Sequence, residues 1–132
     1  MLDIRGLGVA YGNSRVIDHL DLSLSPGESI SIVGESGAGK TTLGMAIMRL
    51  VKGSVSGQVI FNGGNLLDLS DEEMRRLRGD RISMVFQGVE DSLDPVYNVV
   101  DHVAEAVLSH RPLPRKEALE RARAMLRAVG LE

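Results

Sequence analysis

The segment that most limits what this chain can fold into is Gly34-Glu35-Ser36-Gly37-Ala38-Gly39-Lys40-Thr41. It matches G-x-x-x-x-G-K-[ST] at Gly34, Gly39, Lys40 and Thr41. Before it lies a short run rich in β-branched residues, Ser29 to Val33. After it, Leu43, Ala46, Ile47 and Leu50 fall at i, i+3, i+4 and i+7, one face of a helix expected over Thr42 to Val51. The order strand, glycine loop, helix has a physical purpose. Glycines permit the positive φ values that turn successive N–H groups inward into a nest for an anion. The helix aims its free N–H groups and the positive end of its dipole at the same point. The spacing therefore predicts a cradle for the phosphates of a nucleoside triphosphate, most simply Mg·ATP. Lys40 reaches the β- and γ-phosphates, and the Thr41 hydroxyl is on Mg²⁺. A glycine-rich loop with a structural lysine is the plain alternative; the flanking strand and helix weigh against it.

The rest of the composition bounds the partners. The chain has 132 residues, enough for one domain with one core, and is 43% hydrophobic and 25% charged, as ordinary globular domains are. A formal charge of -3 argues against a non-specific nucleic-acid binder, which needs a basic excess, so no nucleic-acid partner is expected. Cysteine is absent, which excludes disulfides and thiolate metal sites. No apolar run approaches the roughly 18 residues that cross a bilayer. Met1 to Arg5 leads into no apolar stretch of the secretory kind. Work at a membrane would go through a partner that spans it.

Along the chain, Leu2 to Val9 reads as a strand ending at the turn residues Gly12, Asn13 and Ser14, and Arg15 to Leu24 as a second strand. Val55 to Asn62 reads as another, closed by Asn62-Gly63-Gly64. Ser70-Asp71-Glu72-Glu73 is a capping-box signature opening a helix to about Arg78. Ile82 to Phe86 is a compact apolar strand. Pro95 and Asn98 precede a helix from about Val99 to Ser109, which Pro112 and Pro114 break. A last helix spans Arg115 to Val129, with Ala118, Leu119, Ala122, Met125, Leu126 and Val129 on one face and Gly130 as the stop. The second half is the more helical, so a subdomain change is expected between Gly88 and Pro95.

Val33 to Thr42 resembles the Walker A segment of ABC-transporter ATPases, and the resemblance extends over essentially the whole chain. Tyr11 stands where that family places an aromatic on the adenine. Val16 to Gly27 is similar to the strand and turn before its phosphate loop. Ser83-Met84-Val85-Phe86-Gln87 looks like the strand ending in the Q-loop glutamine. Ser92-Leu93-Asp94-Pro95 resembles the S-L-N-P segment of the branch that takes up peptides and nickel. The resemblance implies a partial P-loop NTPase fold of the ABC ATPase type, α/β in class. It comprises an N-terminal antiparallel β-subdomain, the Walker A strand, loop and helix, and the start of the helical subdomain. It divides the chain into residues 1–87, ATP-binding core and β-subdomain, and residues 88–132, Q-loop and beginning of the helical subdomain. By the same resemblance Tyr11 would stack on the base, and residues 34 to 42 (Gly34, Glu35, Ser36, Gly37, Ala38, Gly39, Lys40, Thr41 and Thr42) would hold the phosphates. Thr41 and Gln87 would meet Mg²⁺, and Lys40 and Gln87 would serve catalysis. The implied partners are transmembrane permease subunits and a second ABC ATPase subunit, identical or not. The implied location is cytoplasmic, on the inner face of the cell membrane.

Two departures stand beside this. Gly88-Val89 follows the glutamine where peptide-uptake relatives have Asp-Pro, and Glu90-Asp91 comes after. No L-S-G-G-Q segment, no four apolar residues ending Asp-Glu and no switch histidine occur in the 132 residues; His19, His102 and His110 all come earlier than that switch position. The expectation is a truncated stretch that binds nucleotide far better than it turns it over, and a Ser29–Val33 strand short of a neighbour, with an apolar edge and face exposed.

Other features compete weakly. Gly6-Leu7-Gly8 starts a dinucleotide fingerprint that Tyr11 fails to complete. Asp101, His102 and Glu105 could be a metal pair or a solvated face, and Arg121, Arg123 and Arg127 a binding patch or the wet side of a helix. Met45, Met48 and Met125 read as helix core. Tyr11 can also be a strand-end tyrosine packed on the core edge, and Gln87 an exposed residue after a strand. Three functional readings stay open: the ATPase of an importer, a nucleotide-binding module without turnover, and a P-loop protein of another kind such as a kinase, which would make no Tyr11–adenine contact and need no permease.

Overall fold

The computed structural model describes residues 1–88 and 93–131. It separates into two compact units, Met1–Arg78 and Gly79–Glu132.

The first unit is organised by a four-stranded antiparallel sheet in the order β2-β1-β3-β4, from β1 (Leu2–Tyr11), β2 (Ser14–Leu24), β3 (Ser54–Phe61) and β4 (Gly64–Asn65). Two turns close it locally. Tyr11 pairs with Ser14 around Gly12, at φ 58. Phe61 pairs with Gly64 around Asn62 and Gly63, both at positive φ, the pairing favoured in a two-residue hairpin. Ile4, Leu7, Val9, Ile17 and Val59 are buried. Ile4 and Leu7 lie three apart yet both point inward because the β1 register shifts between them. Gly6 takes φ 54 inside that irregularity, and its N–H donates to Asp21 Oδ1 at 2.6 Å. Gly6 thus serves the sheet, and the dinucleotide reading of Gly6-Leu7-Gly8 falls away. Opposite, Gly57 at φ 90 leaves no room for a side chain: a Cβ would stand 2.7 Å from the Arg5 carbonyl oxygen.

Helix α1 (Lys40–Ile47) buries Leu43 and Ala46. It starts two residues earlier than the periodicity predicts and ends before Val51, because Arg49 takes φ 51. Asn65 then caps a turn of 3₁₀ helix, Leu66–Asp68, whose Leu66 is buried. Helix α2 (Asp71–Leu77) opens on the predicted capping box: the Ser70 hydroxyl accepts from Glu73 N–H, and Glu73 Oε2 accepts from Ser70 N–H at 2.8 Å.

In the second unit α3 (Val99–His110) and α4 (Arg115–Ala128) pack as a helical hairpin around Ala104, Ala118 and Ala122, ringed by Val100, Val103, Val107, Leu108 and Leu119. The predicted α4 stripe holds at Ala118 and Ala122 but runs out before its end: Met125 and Val129 are exposed, so Met125 is not core as expected.

The two strands read at Ser29–Val33 and Ile82–Phe86 require correction. Both segments lack a strand's ladder among the described residues. The reason is topological. The hairpins find partners across two-residue turns, whereas a buried parallel strand must be flanked by segments distant in sequence. Ile30, Ile32, Val33, Val85 and Phe86 are accordingly exposed.

Candidate functional site

The loop from Gly34 to Thr42 curls around its own lysine. The Lys40 ammonium donates to the carbonyl oxygens of Gly34 and Glu35, each at 2.6 Å. Ala38 N–H closes an inner turn onto Glu35 O at 3.2 Å, and Leu43 N–H donates to Gly39 O at 2.9 Å. Gly37 and Gly39 take φ 84 and 90. At Gly39 the requirement is double, since an added Cβ would also lie 3.2 Å from Val16 Cγ1 and 3.4 Å from Ile17 Cγ1. The loop is therefore seated on β2. The periodicity of Arg15 to Leu24 marked that strand, but nothing in it singled out Val16 and Ile17 as its seat.

Gly39 occupies the N-cap of α1 without a side-chain cap, and no acid sits in the first turn. The first N–H groups of the helix are thus left for an outside acceptor, at the positive end of the dipole. Ser36, Gly37, Ala38 and Thr41 are exposed, and Lys40 and Thr42 half-buried. Glu35 supplies the loop's one carboxylate, and it is exposed. The donors present suit a compact anion: a lysine, two hydroxyl side chains at 41 and 42, and free backbone N–H groups.

Tyr11 ends β1, with its ring edge against Gly53 and 37% of its surface open to solvent. That placement fits a tyrosine at the edge of the core and leaves part of its surface open to a ligand. Gln87 belongs to the second unit. It sits exposed in a bend after the extended Ile82–Phe86 segment, followed by Gly88 at φ 76. Val89, Glu90, Asp91 and Ser92 lie outside the described residues.

The competing constellations resolve into ordinary contacts. His102 Nε2 lies 3.1 Å from the Asp94 carbonyl oxygen and therefore donates to it; the Tyr97 ring meets the imidazole edge-on at 6.0 Å. Asp101 pairs with Arg115 at 2.8 Å, and Arg121 with Glu117 at 2.8 Å. Among the described residues no three His, Asp or Glu side chains converge on a metal position.

A family model described as ABC transporter matches residues 17–132. The chain belongs to the ABC transporter family. Among its relatives, the "probable peptide ABC transporter ATP-binding protein y4tR" of Sinorhizobium fredii is 44% identical, aligned over 99% of this chain and 42% of that protein. The oligopeptide transport ATP-binding protein OppD of Escherichia coli is 36% identical over 99% and 41%. The chain thus spans less than half the length of these ABC relatives. The fold is that of the N-terminal portion of an ABC ATPase cassette. A dimeric ATP-binding cassette in a post-hydrolysis state, bound to ADP and phosphate, superposes with a TM-score of 0.84 at 27% identity, covering the whole of this chain and 58% of that one. CbiO1 of Clostridium perfringens, part of an ABC transporter complex, follows at 0.75 and 25%, over 99% and 51%. No helix among the described residues of this ABC chain is long and apolar enough to cross a membrane.

Proposed function

We propose that this chain is the nucleotide-binding part of the ATPase subunit of an ABC importer. On this reading Gly34, Glu35, Ser36, Gly37, Ala38, Gly39, Lys40, Thr41 and Thr42 hold the phosphates of ATP, and Tyr11 carries the adenine on its open face. Thr41 and Gln87 contact Mg²⁺, which neutralises charge on the β- and γ-phosphates when bound. Residues 1–87 form the ATP-binding core and β-subdomain, and residues 88–132 begin the helical subdomain.

One observation carries the reading: a lysine folded into a loop with two left-handed glycines, at the uncapped and acid-free start of a helix. The Lys40 ammonium, held by the Gly34 and Glu35 carbonyls, and the uncapped start of α1 together supply the positive charge and the donors that a chain of phosphates needs. Gln87 is assigned the link between that site and a membrane partner. The relatives' names support peptide transport, read here as uptake of oligopeptides or dipeptides; nickel is the other branch of the resemblance. Permease subunits and a second ATPase subunit as partners, and a position on the cytoplasmic face of the membrane, belong to the same reading by family resemblance; the dimeric state of the solved cassette supports the second ATPase subunit. Since the 132 residues contain no L-S-G-G-Q segment and no Asp-Glu pair after four apolar residues, these residues alone should bind ATP and hydrolyse it poorly.

Thermal unfolding in a Mg·ATP titration tests the proposal. Ligand at a hundred times Kd adds about 2.7 kcal/mol of stability. Lys40→Ala removes charge-assisted bonds and weakens binding by about one to two decades. An absent shift in the wild type, or an equal one in Lys40→Ala, overturns it.

A further inference from the structure

The trailing end of α1 departs from the usual chemistry of a helix terminus. Its closing hydrogen bonds are those of a Schellman motif, Arg49 N–H to Ala46 O at 3.0 Å and Leu50 N–H to Met45 O at 2.8 Å. Glycine ordinarily holds the left-handed position of such an end, since a Cβ there crowds the next carbonyl. Helix α4 ends that way, with Gly130 at φ 81, its N–H on Arg127 O and Leu131 N–H on Leu126 O. In α1 the position belongs to Arg49, at φ 51.

A strained residue persists where its surroundings hold it, and the Arg49 side chain shows what does. Its guanidinium donates to Leu69 O at 2.6 Å and pairs with Asp71 Oδ1, at the start of α2, at 3.2 Å. Arg78, just beyond α2, reaches the opposite way: Nε donates to Met48 O at 2.8 Å and Nη2 to Arg49 O at 3.0 Å. Two orphan carbonyls at the end of α1 are thus satisfied by a cation at the negative end of its dipole. One guanidinium leaves α1 for α2, the other comes back, and each holds the backbone from which the other acts.

We propose that Arg49 and Arg78 form a clasp that fixes the trailing end of α1 and so sets how the loop at its leading end is presented to nucleotide. Both are positioning residues; neither touches the ligand. The inference rests on the nucleotide-binding reading above. Helix α1 has 8 residues, about 12 Å of length, and a rod that short carries a tilt at one end directly to the other. Arginine suits 78 because two nitrogens of one rigid planar fork hold the Met48 and Arg49 carbonyls, a geometry that the single nitrogen of a flexible lysine fixes less firmly.

The experiment uses the full chain as wild type, Arg49→Gly, Arg78→Ala and Arg78→Lys, at a temperature where circular dichroism shows each folded. The Kd for Mg·ATP is measured, with amide exchange of residues 34–43 in the nucleotide-free chain. Arg49→Gly relieves the backbone strain, so a purely architectural arginine predicts equal or better behaviour. The clasp predicts Kd raised about fivefold or more and faster exchange in the loop. Arg78→Ala should behave likewise, Arg78→Lys should recover only part, and added ethylguanidinium should restore Arg78→Ala while leaving wild type unchanged. Wild-type affinity and wild-type exchange in Arg49→Gly overturn the clasp, and that variant decides if Arg78→Ala fails to fold. A wild type that binds no Mg·ATP overturns the nucleotide reading instead. The exchange rates then judge the clasp alone: faster in Arg49→Gly supports it, unchanged overturns it.

Discussion

Gly39 and Val16 pack closely: a Cβ on Gly39 would stand 3.2 Å from both the Val16 Cγ1 and the Val16 carbonyl oxygen, so the strand would have to give by a few tenths of an ångström. The phosphate loop is thereby set on β2 by backbone rather than by any side chain of its own. With φ at 90, Gly39→Ala combines left-handed strain of about 1–2 kcal/mol with crowding against a strand. A drop in melting temperature together with weakened Mg·ATP binding is the expected result. A variant as stable and as avid as wild type contradicts this seating.

Tyr11 offers the test of base recognition. If its open face carries the adenine, Tyr11→Ala loses roughly 1–3 kcal/mol of nucleotide affinity, and Tyr11→Phe, which keeps the ring, loses little. Calorimetry with Mg·ATP decides. Equal affinities in all three chains remove Tyr11 from the site.

Helix α2 carries a pH signature. Hydrogen bonds from Arg75 and then Arg76 hold the Glu72 carboxyl down from its ordinary 4.5 to about 2, outweighing the opposing desolvation. A depressed carboxylate stabilises the fold at pH above its unfolded value. That contribution should disappear as pH falls from about 4.5 towards 2. Glu72→Gln should flatten the wild-type loss of helical signal across that window. Identical acid titrations for the two chains speak against the ion pairs.

At the same helix, Ser70→Ala deletes half of the capping box and should cost about 0.5–2 kcal/mol. The Ser70 hydroxyl and N–H together hold the Glu73 carboxyl below its usual range. The Glu73 titration, followed by NMR, should therefore move up in the variant. A Glu73 that titrates unchanged shows the box absent in solution.

In the sheet, Leu7 is fully buried, and Leu7→Ala should destabilise the first unit by about 2–5 kcal/mol. Urea unfolding measures it. A cost near zero means that the β1 irregularity does not turn Leu7 inward.

Much of this was legible in the sequence where the cause is local. Gly12-Asn13, Asn62-Gly63, Ser70 to Glu73 and Gly130 announce their turns and caps because each conformation is decided within a few residues. The phosphate loop is legible for the same reason. Ile82 to Phe86 and Ser29 to Val33 differ from their expectation because a compact apolar run and β-branching report a preference for extended backbone, while a ladder needs a partner. The two extra features of the site arise from contacts across distance: Val16 behind Gly39, and Arg78 at the end of α1. Residue types alone carry no trace of them. Met125 was misassigned because a stripe continues in sequence after the neighbouring helix has stopped covering it.

The exposed row Ile30, Ile32 and Val33 has a consequence for anyone handling this chain. An exposed apolar segment that joins no ladder among the described residues is a template on which other extended segments can grow. Self-association should therefore rise steeply with concentration, and turbidity should begin there rather than at the well-closed hairpins. A single charge at Ile32 should lengthen the lag before clouding far more than the same charge placed on α4.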